Sequence, residues 1–373
     1  MQYRKFPLIT NLDISALGLG CMRLPTIVGY ENRVDEQNLD TMITAAEEEG
    51  INYLDTAYIY HEGGSERALG ATLERLGNRD KFYLATKSPV WMVNTNSDWD
   101  RLLNEQLERL RTDHIDFYLL HSLGLSSWTH AKELGVLPAL EKAKAAGKIH
   151  HIGFSFHDTL SSFKKIIDDY DAWEFCQIQF NYLDGNFQAG EEGLTYAAKR
   201  KIGVIVMEPL RGGVLASPPP QVKKVLESRP PYEWALRFVF NRPEVSLVLS
   251  GMGSVDQIRE NSAVAKTVLP GAIMKDEMDL IDEVRKIYKA KEMVPCTTCG
   301  YCRPCPQGVP IPEIFSLYNS VSMFDNKNAA AIYEKAYQKG GDACTQCGEC
   351  LPKCPQGINI PDHIREAHSF LIK

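Results

Sequence analysis

Short apolar runs alternate with longer amphipathic stretches from Leu17 to Ala265, and this rhythm restricts the chain to very few architectures. The runs are Leu17–Gly20, Ile51–Leu54, Phe82–Ala85, Ile115–Leu120, His151–Gly153, Phe175–Phe180, Gly203–Met207 and Val245–Leu249. Between them lie helical patterns such as Leu103, Leu107 and Leu110, whose spacing of four and three puts them on one face. Ala139-Leu140-Glu141-Lys142-Ala143 adds strong helix-forming sequence. Eight strand–helix units over about 250 residues predict an α/β fold, a (β/α)8 TIM barrel. The alternative, a doubly wound sheet, announces itself with a glycine-rich turn that opens a helix. Gly18-Leu19-Gly20-Cys21-Met22-Arg23 has two of those three glycines and then runs into Pro25, so it is not a dinucleotide fingerprint.

Residues 1–16 precede the first barrel strand and are expected to form a hairpin covering the barrel's N-terminal end. Ser217-Pro218-Pro219-Pro220 and Arg229-Pro230-Pro231 mark loops in the seventh unit. Met278–Met293 reads as a helix leading away, ended by Val294-Pro295, because the residue before proline is pushed out of helical geometry. The expected domains are a barrel over 1–275, a linker helix over 276–295 and a small, mostly helical domain over 296–373. A chain of 373 residues that is 44% hydrophobic and 24% charged can bury a sizeable core. A net charge of −7 without a basic cluster argues against nucleic-acid or anionic-membrane partners. No apolar run approaches the ~20 residues of a membrane span, and residues 1–7 lack a secretory apolar core, so the expected address is the cytoplasm.

Of ten cysteines, only Cys21 and Cys176 precede residue 296; the rest form two tight groups, a cofactor distribution and not a stapling one. Cys344, Cys347, Cys350 and Cys354 follow C-x2-C-x2-C-x3-C-P, the bacterial ferredoxin spacing. Cys296, Cys299, Cys302 and Cys305 nearly copy it, with two residues before the last cysteine. An internal repeat, Cys305-Pro306-Gln307-Gly308 through Pro312 against Cys354-Pro355-Gln356-Gly357 through Pro361, suggests two equivalent 4Fe-4S centres in a ferredoxin-like domain. With the usual exchange of the fourth ligand, one takes Cys296, Cys299, Cys302 and Cys354, the other Cys344, Cys347, Cys350 and Cys305. Structural zinc is the bland alternative, but its motifs pair two CxxC units across a longer loop.

Three successive strand ends carry chemistry. Tyr53-Leu54-Asp55-Thr56-Ala57 leads to Tyr60, Leu84-Ala85-Thr86 to Lys87, and Tyr118-Leu119-Leu120 to His121. Singly, these read as a loop aromatic, a solvated charge, a core histidine and a turn residue. Together, at the barrel face where active sites are built, they read as a tetrad. His150, His151 and His157 make no common metal site, since adjacent residues on a strand face opposite ways.

These pieces resemble the aldo-keto reductase family. The likeness continues through Ile152-Gly153-Phe154-Ser155, Gln177, Pro209-Leu210, Gly251-Met252-Gly253-Ser254 and Gln257-Ile258-Arg259-Glu260-Asn261. With its tail, the chain is similar to the branch carrying a C-terminal 4Fe-4S ferredoxin-type domain. The resemblance implies reduction of an aldehyde or ketone, or the reverse alcohol oxidation, with NADP(H) or NAD(H). Tyr60 would be the general acid, its pKa brought down toward working pH by Lys87, which Asp55 holds charged; His121 would orient the substrate oxygen. Ser155 and Gln177 would hold the nicotinamide carboxamide, Gly20, Cys21 and Met22 would line the mouth, and Met207 would pack where an aromatic often stacks. Leu210 and Arg211-Gly212-Gly213 would approach the pyrophosphate, and Gly251, Gln257, Glu260 and Asn261 the adenosine end. Here Phe156-His157 follow Ser155 where the family often has asparagine, and Gly251, Gly253 and Gln257 stand where basic residues often meet the 2′-phosphate.

A cluster moves one electron whereas nicotinamide gives a hydride, and the chain shows no flavin fingerprint. The clusters are therefore read as structural, redox-sensing or serving an external electron-transfer partner. The other functional reading is a weakly catalytic electron-transfer or sensor subunit that keeps a nucleotide site. Trp91, Trp99 and Trp128 are candidate pocket walls.

Overall fold

The chain opens with an antiparallel hairpin, β1 (Tyr3–Phe6) and β2 (Ile9–Ser15), before its first barrel strand, β3 (Leu17–Gly20). A second small hairpin, β4 (Thr26–Ile27) and β5 (Tyr30–Val34), follows. This computed structural model describes the chain apart from residues 297, 299, 338, 339 and 355 and the side chain of residue 31, so the expected ligand Cys299 lies outside the described residues. The remaining barrel strands are β6 (Tyr53–Asp55), β7 (Tyr83–Ser88), β8 (Ile115–Leu123), β9 (Ile149–Phe156), β10 (Phe175–Gln179), β11 (Gly203–Met207) and β12 (Val245–Ser250). With β3 they pair in chain order, all parallel, and β12 returns to β3 to close the (β/α)8 ring. Nearly every strand residue is buried, as a parallel sheet covered on both faces requires.

The helices packed around the barrel carry their own sequence logic. They are α1 (Glu36–Glu48), α2 (Gly64–Leu76), α3 (Ser97–Leu110), α4 (Leu125–Glu133), α5 (Val136–Ala145), α6 (Leu160–Asp168) and α7 (Gly190–Lys199). Further along come α9 (Pro231–Phe240) and α10 (Val255–Thr267), while the preceding α8 (Pro220–Val225) belongs to the second unit described below. Asp35, Thr159 and Ser254 cap α1, α6 and α10 by accepting a backbone N–H of the first turn, each worth about 1 kcal/mol. In α3 the expected Leu103, Leu107 and Leu110 are buried, with Trp99 and Leu102 widening the stripe. The β1–β2 hairpin stoppers the barrel floor. Phe6, Ile9 and Ile14 pack there against Tyr53, Phe117, Phe175 and Leu247. Gly203 is required at that floor, because a Cβ would collide with the Phe6 ring.

Backbone contacts divide the chain into two compact units, residues 1–213 with 232–273, and residues 214–231 with 274–373. Residues 214–231, which hold α8 and both proline-marked loops, thus group with the second unit and not with the barrel. The helix read over Met278–Met293 is α11 (Lys275–Ala290) and packs on α8. It begins earlier because Glu277 Oε2 accepts the Met274 N–H at 3.0 Å, an N-terminal cap. In the second unit, α12 (Ile311–Phe324), α13 (Ala329–Ala336) and α14 (Ile360–Leu371) surround a core of Ile311, Ile314, Phe315, Ile360 and Ile364. The internal repeat surfaces here, since Pro312 and Pro361 sit in the first turns of α12 and α14, where a missing N–H is harmless. Among the described residues no helix is long and apolar enough to cross a membrane.

Candidate active site and cluster cavities

Asp55 ends β6, Lys87 lies near the end of β7, His121 lies in the last turnings of β8, and Tyr60 follows β6 in a short helical turn. The Lys87 ammonium donates to Asp55 Oδ1 at 2.6 Å, to the Thr56 carbonyl at 2.8 Å and to the Tyr60 hydroxyl at 3.4 Å. It is 1% exposed, so every one of these contacts is made out of water. The Tyr60 and His121 rings meet edge to face, their centroids 6.1 Å apart, and Trp91 lies 5.2 Å from His121 on the open side. The four expected catalytic residues are thus gathered at one end of the barrel. Trp99 and Trp128 are not pocket walls: both are buried among the outer helices, their indole N–H groups on Leu134 O and Asp169 Oδ2.

Electrostatics assign distinct states to these groups. Burial works against the Lys87 ammonium, but Asp55 and Tyr60 outweigh it and hold its pKa above the usual lysine value. Tyr60 departs from expectation: burial raises its phenol, and the nearby Lys87 charge offsets only part of the rise. It therefore stands as a neutral proton donor. Burial first, then the charges of Lys87 and His157, push the His121 imidazole down to about 3. His121 is a neutral hydrogen-bonding group at neutral pH.

A buried polar network beneath the tetrad escaped the sequence reading. Glu66, wholly buried in α2, accepts from Thr86 Oγ1 at 2.6 Å, Gln106 Nε2 at 2.8 Å and Arg109 Nη1 at 3.2 Å. Gln106 also donates to the Lys87 carbonyl and Arg109 to the Tyr58 carbonyl, each at 3.1 Å. One cluster thereby grips the backbone beside both Lys87 and Tyr60. The signal was available, since Gln106 interrupts the apolar stripe of α3 three residues after Leu103 and four after Leu102. Gly63, at φ 86°, lets the chain turn into α2 against the Arg109 guanidinium.

The expected coenzyme positions fall at the same end of the barrel. Gly20 ends β3, and Cys21 and Met22 follow it, the first buried and the second exposed. Ser155 in β9 accepts the Ser122 N–H at 2.7 Å, leaving its own hydroxyl proton to donate. Gln177 in β10 is buried, and its Oε1 has no hydrogen-bond partner among the described residues; His121 Nδ1 is in the same condition. Unpaired buried polar atoms are costly, and both suit a polar ligand at the mouth. Met207 ends β11, with Leu210 and Arg211 in the loop beyond, where Glu208 and Arg211 take left-handed backbone. Gly251 and the α10 residues Gln257 and Glu260 are exposed, while Asn261 is buried and donates to Ser250 Oγ at 2.9 Å. The Gln257 side-chain Oε1 accepts the Gly253 N–H at 2.8 Å, fixing the loop before α10.

In the second unit, two cavities gather the cysteines. One is lined by Cys305, Cys344, Cys347 and Cys350, walled by Ile311, Ile360 and Pro361. The other is lined by Cys296, Cys302 and Cys354, walled by Phe315, Pro312 and Ile358. Cys302 also borders the first cavity. Cys305 thus stands with the second cysteine group and Cys354 with the first. All-thiolate donors in apolar walls fit iron–sulfur clusters.

Comparison with known proteins agrees with this architecture. The sequence profile of the Aldo/keto reductase family matches residues 16–286, and that of the 4Fe-4S dicluster domain matches residues 295–358. The chain is 27% identical over 320 residues to the uncharacterized oxidoreductase YqkF of Bacillus subtilis, covering 75% of this chain and 96% of the relative. It is 28% identical over 302 residues to L-galactose dehydrogenase of Arabidopsis thaliana, covering 75% and 92%. An aldo/keto reductase from Klebsiella pneumoniae, crystallised with NADP and acetate, superposes with a TM-score of 0.62 at 23% identity over 76% of this chain and 95% of that one. At that identity the last likeness speaks to the fold.

Proposed function

This chain belongs to the aldo/keto reductase family, and from that premise we propose that its barrel reduces a small aldehyde or ketone with NADP(H), Tyr60 delivering the proton, while its tail holds two 4Fe-4S clusters. The carrying observation is the buried Lys87 ammonium, in contact with both Asp55 and the Tyr60 hydroxyl. Bound NADPH supplies a hydride to the carbonyl carbon, and NADP accepts one in the reverse direction.

The chain's own residues account for the rest. His121, neutral and short of a partner at Nδ1, hydrogen-bonds and orients the carbonyl oxygen. Tyr60 donates its hydroxyl proton to that oxygen as negative charge develops there, and Lys87 stabilises the phenolate left behind. Asp55 keeps Lys87 charged and fixed. Ser155 and the unpaired Gln177 Oε1 suit a carboxamide, which needs one donor and one acceptor. Gly20, Cys21, Met22 and Met207 serve the nicotinamide end, Leu210 with Arg211-Gly212-Gly213 the pyrophosphate, and Gly251, Gln257, Glu260 and Asn261 the adenosine. Cys296, Cys299, Cys302 and Cys354 hold one cluster; Cys344, Cys347, Cys350 and Cys305 hold the other. Hydride and single-electron chemistry do not couple directly, so the clusters serve structure, sensing or an external electron partner.

The test is Tyr60→Phe in protein purified anaerobically with its iron. Carbonyl turnover should fall by about 10² to 10⁴-fold, while NADPH binding and iron content stay unchanged. Undiminished turnover would overturn the assignment and favour a sensor or electron-transfer role.

A further inference from the structure

At the opposite, N-terminal rim of the barrel, three potential metal ligands meet, with the His114 and His150 rings stacked, their centroids 4.5 Å apart. His114 immediately precedes β8, Asp116 lies within it, and His150 lies at the start of the neighbouring β9. One ligand atom from each lies within 4.8 Å of the other two. His114 Nε2 is 3.7 Å and His150 Nδ1 3.6 Å from the same oxygen, Asp116 Oδ1. The strand alternation that parts His150 from His151 creates this meeting, because His151 turns to Glu174 and Phe117 instead.

We propose that His114, Asp116 and His150 form a binding site for a divalent transition-metal ion of the zinc type, separate from the active site and from the cysteines. Two imidazoles and a carboxylate suit such an ion. In a tetrahedral site with ligand bonds of about 2.0–2.1 Å, donors stand about 3.4 Å apart; both imidazole–Asp116 separations are near that, and the His150 ring, 45% exposed, turns out of its stack on His114 to aim Nδ1 at the ion.

The supports expected around a metal-binding histidine are present. His114 Nδ1 is 2.6 Å from Asp113 Oδ1, which favours the tautomer with an unprotonated Nε2 facing the site. Asp116 is anchored through its other oxygen, which accepts the Leu84 N–H at 2.8 Å and Arg79 Nη2 at 3.0 Å, leaving Oδ1 to point between the imidazoles. His150 is 45% and His114 28% exposed, so an ion has a path in and room for water in its remaining position.

Arg79 is the group that opposes a cation here, with Nη2 3.2 Å from His114 Nε2. That contact is surplus. Nη2 has two hydrogens and is already within reach of the His114 carbonyl at 3.1 Å and of Asp116 Oδ2, while Nη1 and Nε are held by Phe82 O and Thr112 Oγ1. Metal capture by His114 Nε2 requires Arg79 Nη2 to withdraw from that nitrogen, with Nη1 and Nε still held, and the carboxylates of Asp113 and Asp116 offset the guanidinium charge.

The experiment is calorimetric titration of Zn²⁺ alone into the cluster-loaded protein, with iron content measured before and after. Wild type should bind one equivalent more than His114→Ala/His150→Ala, and each single variant should weaken that equivalent at least ~30-fold. Saturating Zn²⁺ should raise the unfolding temperature of wild type but not of the double variant. His150 is exposed, so its variant folds, and unchanged iron separates loss of this site from loss of the cysteine sites. Equal stoichiometry and affinity in wild type and the double variant would overturn the proposal.

Discussion

Lys87 and Asp55 form an ion pair of 2.6 Å in which the lysine side chain is 1% and the aspartate 4% exposed. Removing one partner strands the other as a buried charge, which costs about 3–5 kcal/mol, far more than an exposed pair is worth. Lys87→Met should therefore lower the denaturant midpoint sharply, and Asp55→Asn added to it should restore a large part of the loss. A double variant no more stable than Lys87→Met would refute this account of the pair.

His121 should remain uncharged well below neutral pH. Its pKa falls from 6.5 unfolded to about 3 folded, through burial and then the Lys87 charge. The unfolded chain then binds the extra proton between those values, so this contribution to stability is full above about 6.5 and declines as pH falls toward 3. A heteronuclear NMR titration, with the His121 signal identified by its absence in His121→Gln, should find the neutral imidazole at pH 5. An inflection between pH 6 and 7 would contradict the buried environment described for it.

Gly70→Ala should destabilise the barrel although the position is helical. In an open helix this change gains about 1 kcal/mol. Here a Cβ would stand 2.5 Å from the Arg109 carbonyl oxygen and 2.6 Å from the Leu110 carbonyl carbon, so α2 and α3 must move apart. Overpacking of this kind costs about 1–3 kcal/mol. Thermal unfolding of the variant decides which term wins, and a raised midpoint would mean the helices yield freely.

Cysteine substitution should separate the two cavities. Cys305→Ser should remove the iron held with Cys344, Cys347 and Cys350, and Cys296→Ser the iron held with Cys302 and Cys354. Each should roughly halve the iron per chain, and the pair together should abolish it. Full iron retention in Cys305→Ser would exclude the crossed arrangement.

Much of the architecture was legible because a parallel barrel writes itself locally. Each buried strand needs a short apolar run, so Leu17–Gly20 and Gly203–Met207 appear in the structure with the limits read from the sequence. Ile51 and Asn52 fall outside β6, although Ile51 is nearly as buried as the strand and the Asn52 carbonyl accepts the Tyr83 N–H at 2.7 Å. The tetrad was readable because its members follow strands in order. What stayed hidden depends on distant parts of the chain meeting. Glu66 and Arg109 are 43 residues apart, and nothing local pairs them. The Tyr60 pKa was misjudged for a related reason: sequence reveals the lysine that lowers it but not the depth of burial that raises it more. Residues 214–231 read as a barrel loop because their grouping with α11 is a tertiary fact.

The β1–β2 hairpin fills the barrel floor with Phe6, Ile9 and Ile14, and the tetrad stands at the other end. Anything that reaches His121 there meets the half-exposed Trp91 ring, 5.2 Å from the imidazole.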